Sequence, residues 1–271
     1  MKHGKVTLLS AGPGALDLLT LRAARVLGEA DVLLVDDLAN PEIATLAPQA
    51  RVIAVGKRGG CRSTPQAFIE RMMCRFAKCG AHVVRVKGGD ALMFGRAGEE
   101  MAALRRAGVP VEIVNGVSSA FAAAAGLGMS LTHRDHCAGV TFVTAHRQDG
   151  SAPNWAALAA SGTTLAIYMG LHRVEELSAT LLAHLDAATP AGAVQWAGTP
   201  QERRMVTSLG RLAADVRAGG FASPTILLVG GAVAEAAAMP CVADVPDGAD
   251  AAAMHTRDGN HDMAHVIPRA A

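Results

Sequence analysis

Several short stretches concentrate groups able to do chemistry. Asp36 and Asp37 close the apolar run DVLLVD, where a carboxylate can act as a base or hold a ribose, although a helix N-cap or solvated turn would use the same residue. Lys57, Arg58 and Arg62 crowd GKRGGCRS behind the next apolar run, a pattern that suits an anion site or a solvated loop. In VVRVKGGDALMFGRAGEE, the Lys87-Gly88-Gly89-Asp90 turn adds a cation and a carboxylate on paired glycines, and no Cβ keeps a ligand from that backbone. Arg96 and Glu99 follow at a spacing that allows a local i, i+3 pair. LTHRDH gathers His133, Arg134, Asp135 and His136 just before another apolar run, a density of polar groups that favours function over packing.

The elements that must position these groups read as a βαβ rhythm. KVTLLS is a strand, Asp17 to Leu27 carries a helical apolar stripe, and DVLLVD and RVIAVG are strands. A helix runs from Thr64 as N-cap and Pro65 as first helical residue to Cys79, with Gly80 as its stop. HVVRVKG, a helix near Gly98 to Ala107, and VPVEIV complete the first series. After a helix over SSAFAAAAGLG comes a second series: GVTFVTAH, a helix in NWAALAASG, TLAIYMG, a helix from about Val174 to Leu185, AGAVQWAG, RMVTSLG, a helix to Ala218, and TILLVGG. The fold class expected is α/β with two α/β domains, residues 1–115 and 116–233, and a cofactor cleft between them. Residues 234–271 lack apolar periodicity and are expected to form a disordered tail.

Composition narrows the partners. Of the 271 residues 51% are hydrophobic, enough for a substantial core, while 3% aromatic residues and a net charge of +1 give neither a base-stacking surface nor a basic field for nucleic acid. No stretch offers about 18 strongly apolar residues for a membrane span, and the N-terminus lacks a secretory pattern, so a soluble cytoplasmic protein is expected. Cys61, Cys74, Cys79, Cys137 and Cys241 form no C-x-x-C pair and the histidines no helical H-x-x-x-H pair, so no metal site is expected. SAGPGALDLLT sits where a dinucleotide fingerprint would, but it lacks the third glycine, and Pro13 removes a backbone donor from any pyrophosphate cradle.

Taken in order, GPG, DDL, GKRGG, KGGD, FGRAGEE, LTHRD and AIYMG resemble the uroporphyrinogen-III C-methyltransferase family of tetrapyrrole methylases, over about residues 5 to 233. The resemblance implies a homodimer that binds S-adenosyl-L-methionine in the cleft, needs no metal, and methylates C2 and then C7 of uroporphyrinogen III to give precorrin-2. It implies cofactor contacts at Pro13, Gly88, Gly89, Asp90, Met93, Ser118, Ser119, Met169 and Gly198. Asp36 and Lys57 fall on the positions proposed in the family as proton acceptor and donor. Arg96, Glu99 and Arg134 fall on polar positions lining the substrate side. The base is open among Asp36, Glu99 and Arg134. The substrate's eight carboxylates give the cations Lys57, Arg58, Arg62, Arg96 and Arg134 a role, since guanidinium groups bind carboxylates in a bidentate fork.

The chain departs from the family pattern GAGPGDPELLT at Ser10, in place of glycine, and at Ala15-Leu16, in place of Asp-Pro. Val35 stands where tyrosine is common, Asp37 where Arg or Ala is common, and Ala91 where proline follows KGGD. Competing readings are a sister methyltransferase acting on a later precorrin, a weakly active tetrapyrrole-binding protein, and a dinucleotide-dependent oxidoreductase.

Overall fold

The first strand of the computed structural model, β1 (Lys5–Ser10), lies inside a five-stranded sheet with β2 (Val32–Val35), β3 (Arg51–Ala54), β4 (His82–Lys87) and β5 (Val111–Val114). The structure describes residues 4–56, 64–145 and 150–238. The sheet order is β3-β2-β4-β1-β5 and every pairing is parallel. Parallel strands covered on both faces must be apolar on both, which the runs VTLL and VLLV supply. On one face Leu9, Leu33, Val84 and Val86 pack with α1 (Leu21–Gly28); on the other Leu8, Leu34 and Val83 pack with α2 (Gln66–Lys78) and α3 (Ala97–Arg106).

The second sheet holds β6 (Val140–Thr144), β7 (Thr164–Tyr168), β8 (Pro190–Gln195), β9 (Arg203–Ser208) and β10 (Thr225–Val229), in the order β6-β7-β10-β8-β9. Only β6 and β7 run parallel; β10 is antiparallel to both its neighbours and β8 to β9. One face is covered by α4 (Ser119–Gly126), whose Ala120, Ala122, Ala123 and Ala124 let the helix backbone approach Ala166, Val194 and Leu228 closely. The other carries α5 (Trp155–Ala160), α6 (Val174–Leu182) and α7 (Leu209–Ala218).

Some boundaries differ from the sequence reading. The stripe expected from Asp17 is broken into a 3₁₀ turn, Leu16–Leu18, and a helix that starts only at Leu21. Thr20 is extended and its Oγ1 accepts the Ala23 N–H at 3.1 Å, so the N-cap sits inside the apolar stripe. Pro65, expected as the first helical residue, is extended and occupies the cap of α2 itself. The aperiodic stretch from Ala234 opens inside a 3₁₀ helix, Gly231–Ala238, that buries Ala236 in the core. Residues beyond Ala238 lie outside the described chain. Among the described residues no helix is long and apolar enough to cross a membrane.

Candidate active site

Parallel α/β sheets offer ligands a crevice at the carboxyl ends of neighbouring strands whose connections leave in opposite directions. Here those strands are β1 and β4. Their following loops, Gly12-Pro13-Gly14 and Lys87-Gly88-Gly89-Asp90, are clasped: Gly12 N–H donates to Gly89 O at 3.1 Å and Gly89 N–H to Gly12 O at 2.7 Å. Both glycines are left-handed, at φ 72° and 68°. Gly88 turns where a Cβ would stand 2.8 Å from the Leu38 carbonyl oxygen, so only hydrogen fits. The Asp90 carboxylate is consumed in bracing the turn, accepting Leu92 N–H at 2.8 Å and Gly116 N–H at 3.0 Å.

The second sheet closes on this corner from the other side. Gly198, left-handed at φ 72°, accepts the Ala15 N–H at 2.8 Å, and a Cβ there would sit 2.8 Å from Pro13 Cγ. Buried Tyr168, at the end of β7, shares a 2.6 Å hydrogen bond with Ser118 Oγ, accepts the Ala120 N–H at 3.2 Å and packs its ring on Phe94. Burial pushes the Tyr168 hydroxyl above its ordinary pKa. Ser119 lies against Gly89, its Oγ 3.3 Å from where a Cβ would be. Met93 packs on the edge of the alanine-rich core.

Backbone strain gathers here. Among the described residues, Phe94, Arg96, Met169 and Trp196 are the non-glycines with left-handed φ, 53° to 59°, each costing about 1–2 kcal/mol that surrounding structure must offset. Met169, an apolar side chain that would ordinarily be buried, is instead 49% exposed directly after β7; Leu92, Phe94, Phe121 and Trp196 are exposed as well, and Phe94 packs on Tyr168, the residue before Met169. The cradle thus combines glycine backbone, small hydroxyls and uncovered apolar side chains.

Behind the strand ends lies a buried ionic cluster. Arg85, 3% exposed on β4, donates from Nη2 to Asp36 Oδ2 at 3.1 Å, from Nε to Glu100 Oε1 at 3.2 Å, and from Nη1 to the Leu34 and Val86 carbonyls. Glu100 is fully buried on α3, and its Oε1 also accepts from Gln66 Nε2 at 3.1 Å and Lys87 Nζ at 3.4 Å. Lys87 Nζ lies 3.3 Å from Oε2 but off the line of a hydrogen bond, so that oxygen has ionic contact without an aligned donor. Burial, then Arg85, pushes the Lys87 ammonium below its ordinary value. The cluster leaves Asp36 half-exposed at the end of β2 with a guanidinium behind it.

Arg96 and Glu99 form the local pair their spacing allows, a fork at 2.9 and 2.7 Å with both side chains nearly half exposed. Each stabilises the other's charge, raising the arginine pKa and lowering that of the glutamate. Arg134 projects from a turn closed between His133 and Cys137, exposed and without a hydrogen bond or ion pair among the described residues. Among the described residues no hydrogen bond or ion pair joins it to the Asp36 cluster. His136 of the same turn bonds Glu235 at 2.8 Å. Lys57, Arg58 and Arg62 lie outside the described residues.

The sequence model of the tetrapyrrole (corrin/porphyrin) methylases matches residues 5–213. The chain belongs to the tetrapyrrole methylases. Among these methylases it is 51% identical to the uroporphyrinogen-III C-methyltransferase of Pseudomonas aeruginosa, over 84% of this chain and 93% of that protein. Its fold is similar to the uroporphyrin-III C-methyl transferase of Thermus thermophilus complexed with S-adenyl homocysteine, with TM-score 0.73, 37% identity and 85% and 99% of the two chains covered. It is also similar to a cobalt precorrin-4 methyltransferase of cobalamin biosynthesis, with TM-score 0.76, 30% identity and coverage of 84% and 95%.

Sequence reasoning about this methylase passed over Arg85, Glu100 and Tyr168. A signal for the first two was present. Arg85 and Lys87 occupy alternate positions of an otherwise valine-rich central strand, and Glu100 falls in register with Ala97 and Leu104 on the buried stripe of α3. Charges on two buried stripes that face each other have to pair.

Proposed function

We propose that this tetrapyrrole methylase is an S-adenosyl-L-methionine-dependent uroporphyrinogen-III C-methyltransferase, methylating C2 and C7 to give precorrin-2 as a cytoplasmic homodimer. The observation that carries the reading is the 51% identity to a protein of that name across nearly the whole of both chains. The cradle fits the cofactor. A sulfonium nucleoside wants backbone polar groups, small residues and apolar surface rather than a phosphate loop, and the strand-end corner supplies them through Gly88, Gly89, Ser118, Ser119, Met169 and Gly198. When bound, the cofactor supplies an electrophilic methyl group. Met93 and Pro13 would wall the same space, and Asp90 would hold the turn that shapes it.

The chain's own residues then have three tasks. The first is alignment, because in-line displacement needs the pyrrole carbon about 3 Å from the methyl. The second is to hold a polyanionic substrate, for which Arg134, with no hydrogen-bond or ion-pair partner among the described residues, and Lys57, Arg58 and Arg62 of the sequence GKRGGCRS are the candidates. Arg96 is already neutralised by Glu99 and would serve through that pair. The third is proton removal as the ring carbon gains its methyl group. Asp36 is the base favoured by geometry: Glu99 is locked in a fork, and a guanidinium such as Arg134 does not give up its proton. Asp36 keeps its carboxylate at the cleft edge, oriented from behind by Arg85. Lys57 would return the proton needed to complete the rearrangement, as the family resemblance implies.

The test is incubation of the purified protein with uroporphyrinogen III and methyl-labelled S-adenosyl-L-methionine, with methyl groups on the product counted by mass. Two labelled methyls are expected. No transfer, or transfer only to a later precorrin, overturns the proposal.

A further inference from the structure

Ser10 ends β1 with its side chain fully buried, and its Oγ accepts the N–H of Ala91 at 2.8 Å. Ala91, itself fully buried, is the residue that follows the Lys-Gly-Gly-Asp turn. Ser10 also backs onto Gly116, where a Cβ would lie 2.7 Å from Ser10 Cβ, so the end of β1, the turn and the segment entering α4 meet at this side chain. Both positions depart from the family pattern, which has glycine at the first and proline at the second. Glycine has no hydroxyl and proline has no N–H. Either departure alone carries a cost. Serine opposite proline leaves a buried hydroxyl facing an atom that cannot donate, and alanine opposite glycine leaves a buried N–H unsatisfied.

We infer that Ser10 is a positioning residue of the cofactor cradle, and that Ser10 and Ala91 are a compensating pair: the hydroxyl-to-amide bond holds the turn where proline's fixed backbone otherwise would. The inference deepens the cradle reading above and rests on it for the identity of the ligand. Ser10 acts through Ala91 on Asp90, Gly89 and Gly88, and it touches no ligand itself. Two changes that look like erosion of the binding motif thus cancel.

The experiment is a double-mutant cycle on the full chain, with Ser10→Gly, Ala91→Pro and the two combined, plus Ser10→Ala alone and combined with Ala91→Pro. Melting temperature is read without ligand, and affinity for S-adenosyl-L-homocysteine by calorimetry. Ser10→Ala keeps the Cβ and deletes only the hydroxyl, so it remains informative if Ser10→Gly folds poorly. Expected is a fall in melting temperature of roughly 2–8 °C and at least about tenfold weaker binding for Ser10→Ala or Ser10→Gly alone. In the Ala91→Pro background the same changes should cost nothing, and Ser10→Gly/Ala91→Pro should return to within about threefold of wild-type affinity. Additive effects across the cycle overturn the pairing. Coupled melting temperatures with unchanged affinity overturn the positioning role. A wild-type protein that does not bind S-adenosyl-L-homocysteine refutes the cofactor reading instead, and the melting temperatures still decide the pairing.

Discussion

Replacing Glu100 by glutamine tests the buried ionic cluster with little change of shape. Glu100 is fully buried, and its carboxylate faces two cations, Arg85 and Lys87, each about 3% exposed. Glutamine keeps one acceptor oxygen for Arg85 or Gln66 but puts an NH2 group where Oε2 meets Lys87 Nζ at 3.3 Å, donor against donor. The substitution leaves two buried cations with Asp36 as their sole carboxylate partner in the cluster. Breaking a buried pair from one side costs about 3–5 kcal/mol, because the surviving charge stays desolvated. For a chain of this size that is a fall of roughly 6–20 °C in melting temperature. Function should separate from cofactor binding. The cradle is braced by Asp90 and by the clasp of Gly12 with Gly89, none of which touches Glu100, so S-adenosyl-L-homocysteine affinity should hold within about threefold. Methyl transfer, assayed below both melting temperatures, should drop, because Arg85 loses the Nε anchor that aims Nη2 at Asp36. A Glu100→Gln protein melting within about 2 °C of wild type and turning over normally would refute the reasoning, whatever its affinity for the cofactor.

Gly198→Ala should weaken S-adenosyl-L-homocysteine at least about tenfold in calorimetry, because a Cβ at φ 72° is strained and would meet Pro13 Cγ at 2.8 Å. Arg134→Lys keeps a charge but loses the fork, so turnover should fall while cofactor affinity changes by less than about threefold, or roughly 1 kcal/mol. Because the side chain is exposed and has no hydrogen bond or ion pair among the described residues, melting temperature should stay put; turnover equal to wild type would remove Arg134 from the site. The Lys87 ammonium is pushed below its ordinary value of 10.5, so in the alkaline window just under 10.5 the unfolded chain holds a proton the folded chain has released. Stability there rises with pH by virtue of this group, and Lys87→Met should flatten that part of the curve; parallel unfolding curves for the two proteins would deny the shift.

What could be read from the sequence follows from which physical signals are local. The buried strands, from KVTLLS to TILLV, announce themselves as apolar runs bounded by turn residues, and helices such as α1 and α2 as stripes. Strand direction in the second sheet is not local. TILLV, buried on both faces between two antiparallel neighbours, has the composition of a central parallel strand, so nothing in it distinguishes the mixed sheet from the first. The Lys-Gly-Gly-Asp turn was legible because paired glycines mark close backbone approach, whereas the exposure of Met169 was not, because it depends on a left-handed turn that methionine seldom takes.

The two glutamates of GRAGEE show where the limit lies. As residue types they are interchangeable, and both the spacing from Arg96 and the family resemblance point to Glu99 rather than Glu100. Helix phase separates them: Glu99 stays at the surface in its fork, while Glu100, one residue and about 100° further round, joins Ala97 and Leu104 against β4. There it meets Arg85 and Lys87, whose alternation turns both toward α3. A carboxylate on an apolar helix stripe and cations on an apolar strand are each anomalous alone, since either would cost several kcal/mol unpaired. Together they are mutually required, and the arginine that satisfies the buried glutamate extends its other arm to half-exposed Asp36 at the end of β2. The candidate base is therefore held from behind the first sheet by charges that carry no motif of their own, and its orientation depends on packing between β4 and α3 rather than on the loop that carries it.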